Sequence, residues 1–171
     1  MSRVGNIVLC GFMGCGKSTV GRCLAAMTGR LFVDTDAYIE QREGRTVSEL
    51  FAVYGEEGFR RRERLAAAEL AARPELVIAT GGGTVLDPAS AAALRAGGQV
   101  VLLDTPLECI FLRLAGDTTR PLMQNGHAAA EALYRARMPA YRAAAHRVVA
   151  VTPQDTPDQV AARVLRQLTE I

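Results

Sequence analysis

The 171-residue sequence predicts an α/β fold, a five-stranded parallel sheet between two helical layers, on three observations. Five short apolar runs recur along the chain, at 6–10, 31–33, 76–80, 99–104 and 147–151. Each is continuous rather than alternating, as in strands covered on both faces. Helical patterns lie between them: Val20, Leu24 and Met27 fall on one face, as do Val160, Val164 and Leu168. Third, the glycine-rich stretch GFMGCGKST, residues 11–19, joins the first run to the first helical pattern. Strand and helix in alternation argue for three layers around a parallel sheet. A chain of this length favours one core, so residues 1–171 read as a single domain.

Taken in order, the first loop is the most informative element. Gly11-x-x-x-x-Gly16-Lys17-Ser18 is the phosphate-binding loop (P-loop) pattern in full, with a strand before it and a helix after it. Its glycines let backbone N–H groups curve around phosphate, and the helix N-terminus adds partial positive charge. Gly14, Cys15, Gly16, Lys17, Ser18 and Thr19 are therefore candidate nucleotide contacts. Lys17 is expected on the β- and γ-phosphates, and the Ser18 hydroxyl on Mg²⁺. Composition sharpens this reading. Of 20 basic residues 19 are arginine, and the one lysine of the chain stands where a compact ammonium would touch phosphate.

The second run closes on VDTD, which sets Asp34 and Asp36 at the carboxyl end of a strand, where α/β proteins bind ligands. Two residues apart on a strand, they would share a face and repel unless a cation or hydroxyls share the load. Solvated turn residues are the alternative. Residues 37–72 then form a long, charged, mostly helical insertion suited to an acceptor site. The third run leads into ATGGGTV, whose three glycines suit a ligand that approaches the main chain, or a plain flexible loop. Residues 115–126, AGDTTRPLMQNG, are polar and glycine-bounded, as in a lid. Arg120 lies in that lid, Arg137 precedes Met-Pro, and spacing alone does not choose among Arg60, Arg61 and Arg62.

Composition excludes several classes. The net charge of +2 and scattered arginines point to no nucleic-acid partner. Four apolar residues before Gly11 make no signal peptide, and no run nears a membrane span, so a cytoplasmic protein without membrane contact is expected. Cys10, Cys15, Cys23 and Cys109 include no C-x-x-C pair and read as reduced small hydrophobes. Cys15 differs, because a thiol inside the loop would sit beside phosphate.

GFMGCGKST, FVDTDAYIE, GEEGFRRRE, ATGGGTV, DTTRPL and RMPAYR, in that order, resemble the shikimate kinase family. The likeness runs from about residue 5 to residue 145 and touches each candidate segment. It implies a P-loop NTPase fold with an acceptor-binding insertion and a short lid. It also implies transfer of phosphate from ATP to the 3-hydroxyl of shikimate in aromatic amino acid biosynthesis, by a monomer. Lys17, Asp36 and Arg120 become the catalytic residues, and Asp34 a Mg²⁺ contact through water. Asp36, Arg60, Arg137 and the N–H groups of Gly81, Gly82 and Gly83 hold the acceptor. Arg113 and Pro157 flank the adenine. The chemistry is coherent, since an acceptor carboxylate calls for arginine and a hydroxyl nucleophile for an aligning acceptor such as Asp36. Two departures stand out: residues 152–159, TPQDTPDQ, are acidic where the family often carries a basic residue, and Met123 replaces the usual leucine.

Two other readings are weighed. A P-loop kinase for another polyhydroxy acid, such as gluconate, shares the arginine-rich recognition. A GTPase-like switch or silent nucleotide module lacks support, because a chain with one lysine has no Asn-Lys-x-Asp guanine motif and Asp36 and Arg137 are present.

Overall fold

A computed structural model describes residues 5–114 and 126–170. The expected lid, apart from Gly126, lies outside the described residues, and with it Arg120 and Met123. The elements run β1 (Asn6–Cys10), α1 (Lys17–Thr28), β2 (Leu31–Asp34), α2 (Thr35–Glu43), α3 (Val47–Ala72) and β3 (Leu76–Ala79). A 3-10 turn at Thr84–Leu86 follows, then α4 (Pro88–Gly97), β4 (Gly98–Asp104) and α5 (Leu107–Leu114). The chain continues through α6 (His127–Ala144), β5 (Arg147–Ala150) and α7 (Pro157–Thr169). All strand pairs are parallel, in the order β2-β3-β1-β4-β5. The five expected runs are the five strands.

Alternation along the central strands builds the three layers. Ile7 and Leu9 of β1 and Val101 and Leu103 of β4 meet α1 and α7 in one core. Val8, Cys10, Val100 and Leu102 point the other way, to Leu70 of α3, Leu94 of α4 and Tyr141 of α6. A smaller cluster of Ile39, Leu50, Phe59 and Ala66 fastens α2 to α3, so the insertion has its own apolar seam.

Two expectations need correction. The outer strands are not covered on both faces, since Leu31 is 66% and Val148 40% exposed. The strand order explains this, because β2 and β5 are the edges. Met27 is also 50% exposed, because the core stripe of α1 runs through Val20, Gly21, Leu24 and Ala25.

Helix α3 carries a break that positions the site. Thr46 and Glu49 form a capping box at its start. At Gly55, φ is 70° and ψ −178°, a combination reserved for glycine, and the helix turns there. Its far end is held by Asn6, whose Nδ2 donates to the Leu70 and Arg73 carbonyls while Oδ1 accepts from Leu76 N–H at 2.9 Å. Among the described residues, no helix is long and apolar enough to cross a membrane.

Candidate active site

The strands place their carboxyl ends at one edge of the sheet, and a cleft of about 680 Å³ opens there. The P-loop forms its floor. Gly14 and Gly16 adopt φ of 74° and 93°, which glycine alone takes without strain, and α1 begins with no side-chain cap. Its first N–H groups are thus free for an anion. Lys17 folds back over its own loop, Nζ donating to the Gly11 carbonyl at 2.6 Å and the Phe12 carbonyl at 3.2 Å. Cys15 is 1% exposed and packs into the core with Val20 and Leu24. The thiol is thus buried beneath the loop, yet it stays beside the loop lysine, Lys17 Nζ donating to Cys15 Sγ at 3.7 Å.

Asp34 and Asp36 do converge, but not along a strand. Asp34 ends β2 and caps α2, accepting from Ala37 N–H, and Asp36 occupies the first helical turn. The strand-to-helix turn, not pleat alternation, brings them together. Ser18 Oγ donates to Asp34 Oδ2 at 2.9 Å, which joins the loop hydroxyl to the strand-end carboxylate. Asp36 is pushed up to about 6, chiefly by burial and then by the Asp34 and Glu63 charges, with Lys17 opposing.

The glycine run has a physical explanation that periodicity did not supply. A Cβ on Gly81 would lie 2.6 Å from Asp36 Oδ1, and one on Gly82 would lie 3.3 Å from Arg137 Nη1. A Cβ on Gly83 would overlap the Arg60 guanidinium. Each glycine leaves room for one functional side chain. The run is also tied down: Gly81 N–H donates to Thr35 Oγ1 at 2.8 Å, and the Gly82 carbonyl accepts from Tyr141 Oη at 2.6 Å. The Tyr141 hydroxyl is pushed up to about 12 by burial, so it stays a donor. Gly81 N–H is thereby engaged within the fold, whereas the sequence reading assigned it to a ligand.

Of the three candidate arginines, only Arg60 enters the cleft. Arg61 is exposed, and Arg62 pairs with Glu43 at 3.1 Å while stacking 3.7 Å over Tyr54. Arg60 Nη1 donates to Glu63 Oε1 at 2.5 Å, and Glu63, 3% exposed, also accepts from Thr84 Oγ1 at 3.0 Å. Sequence reasoning missed Glu63, Thr35 and Tyr141. The one signal for Glu63 was an acid inside a basic run, one helical turn from Arg60. Arg137, on α6, lines the same cleft from the opposite side of the sequence.

A second pocket of about 260 Å³ adjoins the cleft at Gly16, Thr19 and Arg113. Val151, Asp155, Pro157 and Val160 complete its wall, so Arg113 and Pro157 do face one space. Arg113 Nη1 reaches the Gly14 carbonyl at 3.4 Å.

A P-loop at a parallel sheet edge, with carboxylates and arginines opposite it, defines a nucleotide-dependent kinase for a small anionic acceptor. The family model described as shikimate kinase matches residues 13–169. A shikimate kinase of Symbiobacterium thermophilum is 46% identical over 169 residues, spanning 96% of this chain and 97% of that one. The solved shikimate kinase from Acinetobacter baumannii, in complex with shikimate, superposes with a TM-score of 0.90 at 40% identity. That match covers 97% of this chain and 93% of the other. The chain belongs to the shikimate kinase family. A gluconokinase from Sinorhizobium meliloti, 22% identical with a TM-score of 0.60 over 97% of this chain and 94% of its own, shares the fold alone.

Proposed function

We propose that this chain transfers the terminal phosphoryl group of ATP to the 3-hydroxyl of shikimate, giving shikimate 3-phosphate and ADP. The observation that carries this reading is the single cleft where Asp36, Arg60 and Arg137 each lie against one glycine of Gly81–Gly83, with the P-loop opposite. Arg60 and Arg137 hold the acceptor carboxylate, and Asp36 aligns the hydroxyl for attack. Lys17 leaves its loop carbonyls for the β- and γ-phosphates and stabilises the charge that develops in transfer. Arg120 supplies a further cation from the lid. Because phosphoryl transfer is chiefly positioning, Asp36 need only orient the nucleophile until a late proton transfer.

The donors present fit Mg²⁺. The Ser18 hydroxyl is a hard oxygen ligand, and the Asp34 carboxylate bonded to it would hold the ion through water. Among the described residues no group of three or more His, Cys, Asp or Glu could hold a metal, so the ion would take its remaining ligands from water and phosphate. When bound, it neutralises charge on the phosphates. The pocket between Arg113 and Pro157 receives the base.

A coupled ADP-release assay with shikimate, quinate and gluconate tests the reading. Turnover should need shikimate, and Lys17→Met should lower kcat by about 10²-fold or more. Equal turnover of gluconate would overturn the acceptor assignment.

A further inference from the structure

The base pocket has a wall whose sequence looks wrong for it. Residues 152–159 carry Asp155 and Asp158 and no basic residue, yet the pocket must admit part of a polyanion. Asp155 lines that pocket, with only 10% of its side chain exposed. Its charge is answered from within α7. Arg163 Nη2 donates to Asp155 Oδ1 at 2.9 Å and Nη1 to Oδ2 at 3.0 Å, a two-pronged pair. Thr152 N–H donates to the same Oδ2 at 2.8 Å, and Arg163 Nη1 also reaches the Ala150 carbonyl at 2.5 Å. The guanidinium thus binds the end of β5, the loop and the start of α7 together. Pro157 stands at the first position of α7, directly after the Thr156 cap, so its placement follows from that loop. Arg163 and then the Thr152 N–H hold the Asp155 carboxyl well below the usual carboxylate range.

We infer that the Asp155–Arg163 pair is a positioning device for the nucleotide: it fixes the Pro157 wall of the base pocket and cancels the carboxylate that would repel ATP. The inference rests on the reading of this pocket as the base site. Exposed ion pairs usually contribute little, but this one is two-pronged, largely covered at the carboxylate and joined to two main-chain groups. The device acts on ATP alone, since neither residue lines the acceptor cleft. Its signature is a charge pattern. Removing Arg163 strands the Asp155 carboxylate in the wall, whereas removing both charges leaves no unpaired charge at that point.

Calorimetric Kd values for ATP and for shikimate, with wild type and variants, test this. Arg163→Gln should weaken ATP about tenfold or more, and Asp155→Asn with Arg163→Gln by about threefold or less. Arg163→Lys, which keeps charge but one prong, should fall between them, at about threefold to fivefold. Shikimate Kd should stay within about twofold throughout, because the acceptor contacts are untouched. Should Arg163→Gln not fold, Arg163→Lys against the double variant carries the comparison. A double variant as weak as Arg163→Gln, or an unchanged ATP Kd in Arg163→Gln, overturns the device. Arg113→Met separates the two claims. If it weakens ATP while Arg163→Gln does not, the device alone falls; if neither weakens ATP, the base-site reading falls with it.

Discussion

At the scale of single residues, the proposed acceptor site is built by subtraction. Gly81, Gly82 and Gly83 have no unusual φ that demands glycine; what they provide is the missing methyl beside Asp36, Arg137 and Arg60. A graded outcome follows. Gly81→Ala and Gly83→Ala should each raise the acceptor KM about tenfold or more, the loss of one charged hydrogen bond. Gly82→Ala should change it only a few fold, because Arg137 Nη1 at 3.3 Å can yield by a few tenths of an ångström. Equal effects from all three would refute the one-glycine, one-side-chain account. The two arginines differ as well. Arg60 faces buried Glu63, while no ion pair holds Arg137 among the described residues. Arg60→Ala strands the Glu63 charge and should cost stability, short of the ~3–5 kcal/mol of a fully buried pair because Arg60 is 26% exposed. Arg137→Ala should raise the acceptor KM with little change in Tm, and melting curves of both variants decide the point.

At the scale of the element, α3 serves two duties by bending. Its first part presents Val47 and Phe51 to the cleft, and its second presents Phe59, Arg60 and Glu63. Phe51 and Phe59 meet across the bend with ring centroids 4.6 Å apart. Gly55 allows this, since its φ of 70° with ψ of −178° lies in a region open to glycine alone. Nothing lies within 4 Å of a Cβ built there, so any penalty is one of backbone conformation rather than space. Gly55→Ala should destabilise by about 1–3 kcal/mol or straighten the helix. Either way, Phe51 leaves Phe59 and the acceptor KM rises, while the ATP Kd holds. An unchanged KM would mean that the bend is dispensable for acceptor binding.

At the scale of the molecule, one histidine couples the sheet to pH. His146 Nδ1 accepts from Val100 N–H at 3.0 Å, and His146 N–H donates to the Val100 carbonyl at 2.7 Å, which closes β4 against the start of β5. Burial lowers its pKa below the ordinary 6.5, and the Arg95 and Arg147 charges lower it further. The folded state therefore favours the neutral ring. Its stabilising contribution is complete above the unfolded pKa, and it is lost as pH falls from 6.5 through the lower folded value. The His146 contribution to Tm should be flat above neutrality and decline below it, while Asp36, pushed up to about 6, acts in the opposite sense in wild type and variant alike. In His146→Asn, which keeps an acceptor but has no proton to gain, that early decline should vanish. A wild-type and variant difference in Tm that is constant from pH 8 to pH 5 would refute the coupling.

The sequence by itself determined the strands, the layers, the P-loop and, through the ordered motifs, the family. These signals are local: an apolar run of five residues or a Gly-x-x-x-x-Gly-Lys-Ser loop carries its meaning within one element. The tertiary structure alone decided which strands are edges, and thus why Leu31 and Val148 are exposed. It separated Arg60 from Arg61 and Arg62 on geometric grounds, by the direction each leaves α3. It also found Glu63 under Arg60, Thr35 against Gly81, and Arg163 against Asp155. A charge in sequence says nothing of its partner, because pairing depends on which element packs beside it. Periodicity reports which face of an element is dry; what that face meets is settled only when the elements are assembled.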